Sequence, residues 1–391
     1  MKTAFKQSIL ALFFVSLTAC QAKTKKLETT VASNQPETHK PTTVSKANKQ
    51  FIKVALLLDT SNSMDGLIDQ AKAQLWEIVN ELSYAKCNAM KPNLQIALYE
   101  YGNDNLNGNE GYIRQVLAFS QDLDEISKEL FSLTTRGGNE YCGYVIQTAL
   151  NQLQWGNNPD DLKLIFIAGN EPFTQGRVPY KVAGKLAHSK DVTVNTIFCG
   201  DYNQGISSYW KDGADVTHGN YMAINHNHET VHIASPYDAS ILELNNKLNK
   251  TYVAYGSYGK DKMELQAEQD VNAQGYSEAN AVSRAVSKSS HLYKNASWDL
   301  IDASESASFE YKNLKDSDLP KALQGKSKEE IKSYLDTKRN ERKAIQEQIQ
   351  DLNAKRKQYV AQQQKEGNNS LENAMLNAIK SQAKKKNYKW E

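Results

Sequence analysis

Short apolar runs alternate with longer amphipathic stretches along the chain from Phe51 to about Lys250. Six of the runs have the length and residue types of buried strands, and apolar positions at helical spacing lie between and after them. The predicted strands are 53–58, 94–101, 113–119, 162–168, 192–198 and 221–224. The predicted helices are 65–82, 122–133, 143–153, 179–188 and 238–250. This alternation predicts an α/β fold with a doubly wound, mostly parallel six-stranded sheet and helices on both faces.

The pattern changes beyond about residue 255, where the chain becomes polar and rich in alanine. This stretch predicts short helices, with Trp298 as an aromatic anchor. Ser327 and Glu330 have the spacing of a capping box and predict the start of a long charged helix that ends near Lys365. Basic residues interrupt the apolar seam of this helix, so the tail is only partly coiled-coil-like.

A last helix is predicted from Ser370, and it ends in three lysines at 384–386. We interpret this basic run as a solvated helix end. Contact with an anionic lipid or with a protein partner is the alternative interpretation.

The first twenty residues have the features of an export signal. A basic start precedes an apolar core at 9–17 that is too short to cross a bilayer as a helix. The sequence Leu17-Thr-Ala-Cys20 resembles the lipobox of bacterial lipoproteins, in which the cysteine is acylated. The resemblance implies a lipid anchor on Cys20, and the uncharged Gln21 after it implies the outer membrane of the cell envelope. An ordinary signal peptide with an incidental cysteine is the alternative.

Composition suggests how the rest of the chain is divided. Residues after Cys20 are polar up to about Asn48, which predicts a flexible tether. The predicted parts are a signal peptide 1–19, a tether 20–48, an α/β domain 49–256, a polar linker with short helices 257–326 and a helical tail 327–391. The net charge of +2 over 391 residues gives no overall nucleic-acid footprint, so we expect no nucleic-acid partner.

Polar residues with oxygen atoms follow the first predicted strand at once. Asp59, Ser61 and Ser63 lie at positions i, i+2 and i+4. They follow the carboxyl end of the strand, which is where ligands bind in doubly wound sheets. This Asp-x-Ser-x-Ser pattern after a buried strand resembles the signature of von Willebrand factor A-type domains, and the resemblance spans about Phe51 to Gly256. In that family the loop holds Mg²⁺, Mn²⁺ or sometimes Ca²⁺ at a metal-ion-dependent adhesion site. A carboxylate from a protein partner fills the open coordination position.

The chain departs from the family pattern at the remaining ligand positions. The family has a threonine where this chain has Asn139, which still offers a carbonyl oxygen. The family has an aspartate where this chain has Gly169, followed by Asn170 and Glu171. Glu140 and Glu171 are candidates to restore the lost charge, directly or through water. The Gly-Asn-Glu-Pro turn looks like that of a subgroup of bacterial A-type-domain proteins, and this likeness brings no assigned activity.

The resemblance therefore implies a divalent-cation site, for which hard oxygen ligands favour Mg²⁺, with Mn²⁺ or Ca²⁺ as alternatives. The implied metal ligands are Asp59, Ser61, Ser63 and Asn139, and the implied rim or water-mediated residues are Glu140, Asn170 and Glu171. In the alternative interpretation the loop is degenerate, and its aspartate and serines only cap the next helix.

Three cysteines remain after Cys20, so at most one intramolecular disulfide can form. Cys142 and Cys199 are both expected on the ligand face, and Cys87 is expected at the opposite end of the sheet. Cys142 and Cys199 are therefore the candidate pair, with separate buried thiols as the alternative.

The remaining motifs give no enzyme signature. His226, His228 and His232 would bind Zn²⁺ only if their loop folded back, and their spacing does not match a known zinc site closely. The sequence contains no nucleophile elbow, Walker loop or dinucleotide fingerprint.

We therefore expect a non-enzymatic, lipid-anchored binding module that engages an unidentified protein partner through its metal. The alternative is an envelope scaffold with a vestigial metal site, acting through its C-terminal helices. A hydrolase that uses the histidine cluster and a metal is the third class.

Overall fold

The computed structural model describes residues 49–225, 233–363 and 371–390, which belong to one compact unit, Asn48–Glu391. The predicted signal peptide, Cys20, the tether and the three histidines at 226, 228 and 232 lie outside the described residues. The strands are β1 (Phe51–Asp59), β2 (Ala85–Cys87), β3 (Asn93–Tyr101), β4 (Ile113–Ser120), β5 (Leu162–Gly169), β6 (Thr193–Cys199), β7 (Tyr221–Ile224) and β8 (Tyr388–Trp390).

The helices cover most of the remaining described chain, and none of them is both long enough and apolar enough to cross a membrane. They are α1 (Asp65–Leu82), α2 (Leu123–Phe131), α3 (Cys142–Gln152), α4 (Tyr180–Ser189), α5 (Tyr202–Ser207), α6 (Trp210–Asp215), α7 (Asp238–Asn249), α8 (Gly259–Tyr276), α9 (Glu278–Lys288), α10 (Leu300–Ser304), α11 (Lys328–Gln363) and α12 (Leu371–Lys384).

Six strands form the main sheet, in the order β4-β3-β1-β5-β6-β7. All neighbouring pairs are parallel except β3 and β4, which are antiparallel. This confirms the predicted doubly wound, mostly parallel sheet. Because β1 lies between β3 and β5, the carboxyl ends of these three strands meet at one edge, with Asp59 opposite Tyr101.

The central strand is apolar along its length because helices cover both of its faces. Val54, Leu56 and Leu58 pack into the apolar cluster on one face of the sheet. Ala55 and Leu57 pack into the cluster on the other face, with α3 and α4. The alternation of these side chains fixes which residues of the strand end turn toward each layer.

The predicted elements of the α/β region agree with the structure to within two residues at each end. Helix α1 begins and ends where the pattern predicts. Helices α5 and α6 and the short strands β2 and β8 were not predicted. Helix α5 begins at a local signal, since the Asp201 carboxylate accepts hydrogen bonds from the N–H groups of Asn203 and Gln204.

The C-terminal helices belong to the core of the α/β unit, a question that the sequence left open. Helix α12 packs against α1 and the sheet, and its Met375 and Ile379 are buried in the same apolar cluster as Leu58. Helix α9 packs against α1, and α11 packs against α7. Strand β8 then pairs with β2 in a two-stranded antiparallel ribbon.

Candidate metal centre

The candidate centre lies at the carboxyl end of β1, where Asp59 is fully buried. Its Oδ1 accepts a hydrogen bond from the Ser61 N–H at 2.7 Å. Its Oδ2 is buried and has no hydrogen-bond partner among the described residues. The hydroxyl oxygens of Ser61 and Ser63 lie 3.3 Å apart. The structure thus brings the three residues of the motif together.

Glu140, just before α3, supplies a second carboxylate to this centre. Its side chain is buried and contacts the carboxyl group of Asp59. Its Oε2 accepts a hydrogen bond from the Glu171 N–H at 3.3 Å, and its own N–H donates to the Gln175 side chain at 2.9 Å. The preceding residue, Asn139, is exposed. Of these two neighbours, the structure turns Glu140 toward Asp59, whereas the family pattern pointed to Asn139.

The two carboxyl groups are electrostatically unfavourable neighbours. Burial raises the pKa of Asp59 well above its ordinary value, and the adjacent Glu140 raises it further. Burial also raises the pKa of Glu140. Two buried carboxylates in contact disfavour joint ionisation, and a cation between them would offset this cost.

Gly169 stands where the family has an aspartate, and the structure shows why a larger residue does not fit. A Cβ atom at this position would lie 2.6 Å from the Tyr101 hydroxyl and 3.1 Å from Asp59 Oδ2. The Tyr101 hydroxyl is held there by the hydrogen bond that it donates to the Ala168 carbonyl at 2.9 Å. The second carboxylate therefore enters from the loop before α3 instead.

The turn after β5 closes one side of the centre. The Asn170 side-chain amide donates to Ser63 Oγ at 3.1 Å, while its Oδ1 is buried and has no partner among the described residues. Glu171 is exposed, and its backbone carbonyl accepts a hydrogen bond from the Trp210 indole at 2.8 Å. Asn170 is therefore a candidate ligand. Glu171 helps to hold the turn in place through the hydrogen bonds of its backbone N–H and carbonyl.

Gly102, Asn103 and Gly138 hold the loops together, and the sequence did not single out the first two. Gly102 has φ +78°, and a Cβ atom there would lie 2.8 Å from Asp59 Oδ1 and from Glu140 Cγ. A Cβ atom on Gly138 would lie 2.4 Å from the Gly102 carbonyl oxygen. The Asn103 amide donates to the Thr134 carbonyl at 3.0 Å. The Gly102-Asn103 pair directly after β3 was the sequence signal that could have indicated this loop contact.

The donor set fits a hard divalent cation. Asp59 Oδ2 and Asn170 Oδ1 are buried oxygens without partners in the described structure, and the serine hydroxyls lie beside them. No group of three or more histidine, cysteine, aspartate or glutamate side chains among the described residues is arranged to hold a metal. The fit therefore rests on two carboxylates combined with hydroxyl and amide oxygens, the ligand types that Mg²⁺ and Ca²⁺ prefer.

The three described cysteines are buried free thiols, so the structure has the alternative of separate thiols rather than the candidate Cys142–Cys199 disulfide. The physical reason is their placement on different faces of the sheet. Cys142 packs into the cluster with α3 and lies 3.9 Å from the Tyr101 hydroxyl. Cys199 packs into the cluster on the opposite face. Burial raises the pKa of both thiols well above the ordinary value.

Comparisons with known proteins add the following findings. No family model and no curated protein matches the chain. BatB from Bacteroides thetaiotaomicron is 16% identical with a TM-score of 0.34, over 44% of this chain and 90% of that chain. The VWA domain of SpRpn10 is 15% identical with a TM-score of 0.32, over 44% and 87%. An aerotolerance-related membrane protein from Bacteroides fragilis is 16% identical with a TM-score of 0.31, over 45% and 93%. Likenesses at this level assign no activity to this chain.

Proposed function

We propose that this protein is a lipid-anchored binding module of the bacterial cell envelope, with an A-type α/β domain. It would bind a divalent cation at the carboxyl end of β1 and engage a protein partner through that cation. The observation that carries the proposal is the buried Asp59 carboxylate, whose Oδ2 has no partner in the described structure and whose neighbour is a second buried carboxyl, Glu140.

The residues that would hold the cation come from three loops. Asp59, Ser61 and Ser63 come from the loop after β1, Glu140 comes from the loop before α3, and Asn170 comes from the turn after β5. Mg²⁺ is the expected ion because all of these donors are oxygen atoms, and Mn²⁺ and Ca²⁺ share this preference. Once bound, the cation would act as a Lewis acid toward one further oxygen ligand.

The partner would supply that oxygen. Ser63 and Glu171 are exposed at the rim of the centre, so the centre opens toward solvent on this side. A carboxylate of a partner protein matches the charge of the cation and the oxygen chemistry of its other ligands. The neighbouring Asn139 is also exposed and would contact the partner rather than the cation.

Calorimetric titration with Mg²⁺, Mn²⁺ and Ca²⁺ tests the proposal, using the compact unit from Lys49 onward. We expect saturable binding that Asp59→Ala abolishes. Asp160→Asn is the matched control, because Asp160 is an exposed carboxylate on the loop before β5, at the opposite end of the sheet. No binding at about 10 mM cation, which exceeds the dissociation constants of weak extracellular sites, would contradict the proposal. Binding unchanged in Asp59→Ala would contradict it as well.

The same variant distinguishes this function from that of an envelope scaffold acting through the C-terminal helices. Helices α9 and α12 bury their apolar faces in the core, which leaves less of them for a partner. In a scaffold, Asp59→Ala would leave partner binding intact. In a metal-dependent module, it would abolish partner binding while the fold is retained.

A further inference from the structure

The amino ends of the parallel strands form a face opposite to the candidate metal centre. This amino-end face consists of the loops that lead into β1, β3, β5 and β6, together with the end of α12 from Lys384 and the ribbon of β2 and β8. Three hydrogen bonds fix the ribbon and the residue Lys386 just before it to the loops. The Tyr388 hydroxyl donates to the Asp160 carbonyl at 2.9 Å, and Lys386 Nζ donates to the carbonyls of Pro159 and Asp161 at 2.9 and 3.0 Å.

Lysines dominate the exposed charge of the amino-end face. Among its described residues, the exposed acidic side chains are Asp160 and Asp191. Asp191 is already compensated, since its Oδ2 lies 2.7 Å from Lys386 Nζ and 3.6 Å from Lys163 Nζ. The exposed lysines are Lys49, Lys91, Lys190, Lys384, Lys385 and Lys389. The whole chain carries a net charge of only +2, so this positive charge is a local feature of one face.

Side chains suited to a lipid interface accompany these lysines. Met90 is 42% exposed next to Lys91. Trp390 is partly buried next to Lys389, and its indole N–H donates to the Glu81 carbonyl at 3.2 Å. Tryptophan is enriched at lipid–water interfaces.

We propose that the amino-end face docks on an anionic lipid surface. A cluster of lysines is attracted by anionic headgroups within about one Debye length, roughly 10 Å at 0.1 M salt. The chain enters the domain at Lys49, on this face, from the segment that carries the predicted lipid anchor. A lipid surface is favoured over a soluble polyanion because the same end of the domain receives that segment.

Docking in this way would orient the domain. In a parallel sheet the amino ends of the strands face one way and the carboxyl ends face the other. With its amino-end face on the lipid, the domain would present Asp59 and Ser63 away from the membrane, where a partner protein has access. The choice of a lipid surface rests on the lipid anchor of the proposed function. The contact itself does not depend on the cation, so vesicle binding in EDTA and the metal titration can fail independently.

The test is sedimentation with vesicles of phosphatidylcholine, with and without phosphatidylglycerol, in the presence of EDTA. The protein is the chain from Gln21 onward, which lacks Cys20 and so carries no lipid. We expect binding to the anionic vesicles that weakens as salt is raised. Each lysine near an anionic surface contributes a factor of about five to partitioning, so Lys384→Gln, Lys385→Gln and Lys389→Gln together should lower it about 100-fold.

A control variant removes the same charge elsewhere. Lys260, Lys312 and Lys343 have side chains that are 86%, 66% and 76% exposed, and their change to glutamine should leave vesicle binding nearly unchanged. Thermal melts of both triple variants verify that the fold is kept.

Four results would overturn the proposal. They are no binding of the unsubstituted chain to anionic vesicles at low salt, equal binding to neutral vesicles, an equal loss in both triple variants, or binding to soluble heparin without binding to vesicles.

Discussion

The carboxyl group of Asp59, at the end of β1, lies in contact with the carboxyl group of Glu140, just before α3, and both are buried. This contact places the second negative charge of the centre on a different loop from the one that the family pattern indicates. It also means that the metal-free protein holds two like groups together at its own binding site. The close approach of the two carboxylates would become favourable once a divalent cation lies between them.

Asp59→Asn should stabilise the metal-free protein while it abolishes cation binding. The new amide can donate a hydrogen bond to Glu140, and one buried charge is removed. We expect a gain of about 1–2 kcal/mol in the free energy of unfolding. Urea denaturation in EDTA measures it, with Asp104→Asn as the control at an exposed carboxylate. A less stable Asp59→Asn protein in EDTA would show that the two carboxyls are not in conflict.

Gly169→Ala should destabilise the protein because its Cβ would meet the Tyr101 hydroxyl at 2.6 Å. Overpacking of this kind costs about 1–3 kcal/mol. Tyr101→Phe removes the hydroxyl, so Gly169→Ala should cost less in the Tyr101→Phe background than in the unsubstituted protein. A double-mutant cycle by urea denaturation checks this coupling. Strictly additive costs would mean that another contact makes glycine necessary.

The sequence was sufficient for the parts of the centre that are set locally. The apolar run of β1, the polar residues after it and the amphipathic pattern of α1 are contiguous, so Asp59, Ser61 and Ser63 could be placed at a strand end. The choice between Asn139 and Glu140 depends on how an irregular loop turns. That turn is set by the close approach of Gly138 to the Gly102 carbonyl, a contact between distant segments.

The position of α12 was equally beyond local reasoning. Its amphipathic pattern predicts a helix with one apolar face, but the pattern does not say which surface that face covers. In the structure it covers the sheet beside α1, with Ile379 fully buried. The placement of Cys142 and Cys199 was also beyond local reasoning, because their spacing does not show that the sheet separates them.

Ile379→Ala should destabilise the whole α/β unit and not only its C-terminal end. Removing a buried aliphatic side chain costs about 2–5 kcal/mol. Asn377→Ala is the control on the same helix, because Asn377 is exposed. Urea denaturation followed by the fluorescence of the buried Trp76 and Trp210 reports on the unit. An unchanged midpoint for Ile379→Ala would mean that α12 is not part of the core.

Stability should depend on pH through Asp302, which contacts Arg342 of α11 at 2.8 Å. Burial, followed by the charge of Asp299, raises the pKa of Asp302 to about 6. An unfolded aspartate titrates near 3.9, so between about pH 4 and pH 6 the folded protein keeps a proton that the unfolded chain releases. The contribution of Asp302 to stability is therefore present below about pH 4 and falls as pH rises to about 6, by up to roughly 3 kcal/mol.

Asp302→Asn should remove this part of the pH dependence. The measurement is the free energy of unfolding at several pH values across the window, for the unsubstituted protein and the variant. Asp351→Asn, an exposed aspartate on α11, should leave the slope as it is. If the difference between the unsubstituted protein and Asp302→Asn were constant with pH, the raised pKa of Asp302 would be refuted.

The central claim is that Glu140, rather than its neighbour Asn139, completes the cation site with Asp59. The most direct test is the Mn²⁺ affinity of Glu140→Gln and Asn139→Ala, measured by calorimetry on the unit from Lys49. Because affinity for hard cations depends on ligand charge, Glu140→Gln should weaken binding by about tenfold or more, and Asn139→Ala should change it by less than about twofold. The reverse order, with Asn139→Ala weakening Mn²⁺ binding and Glu140→Gln sparing it, would contradict the account.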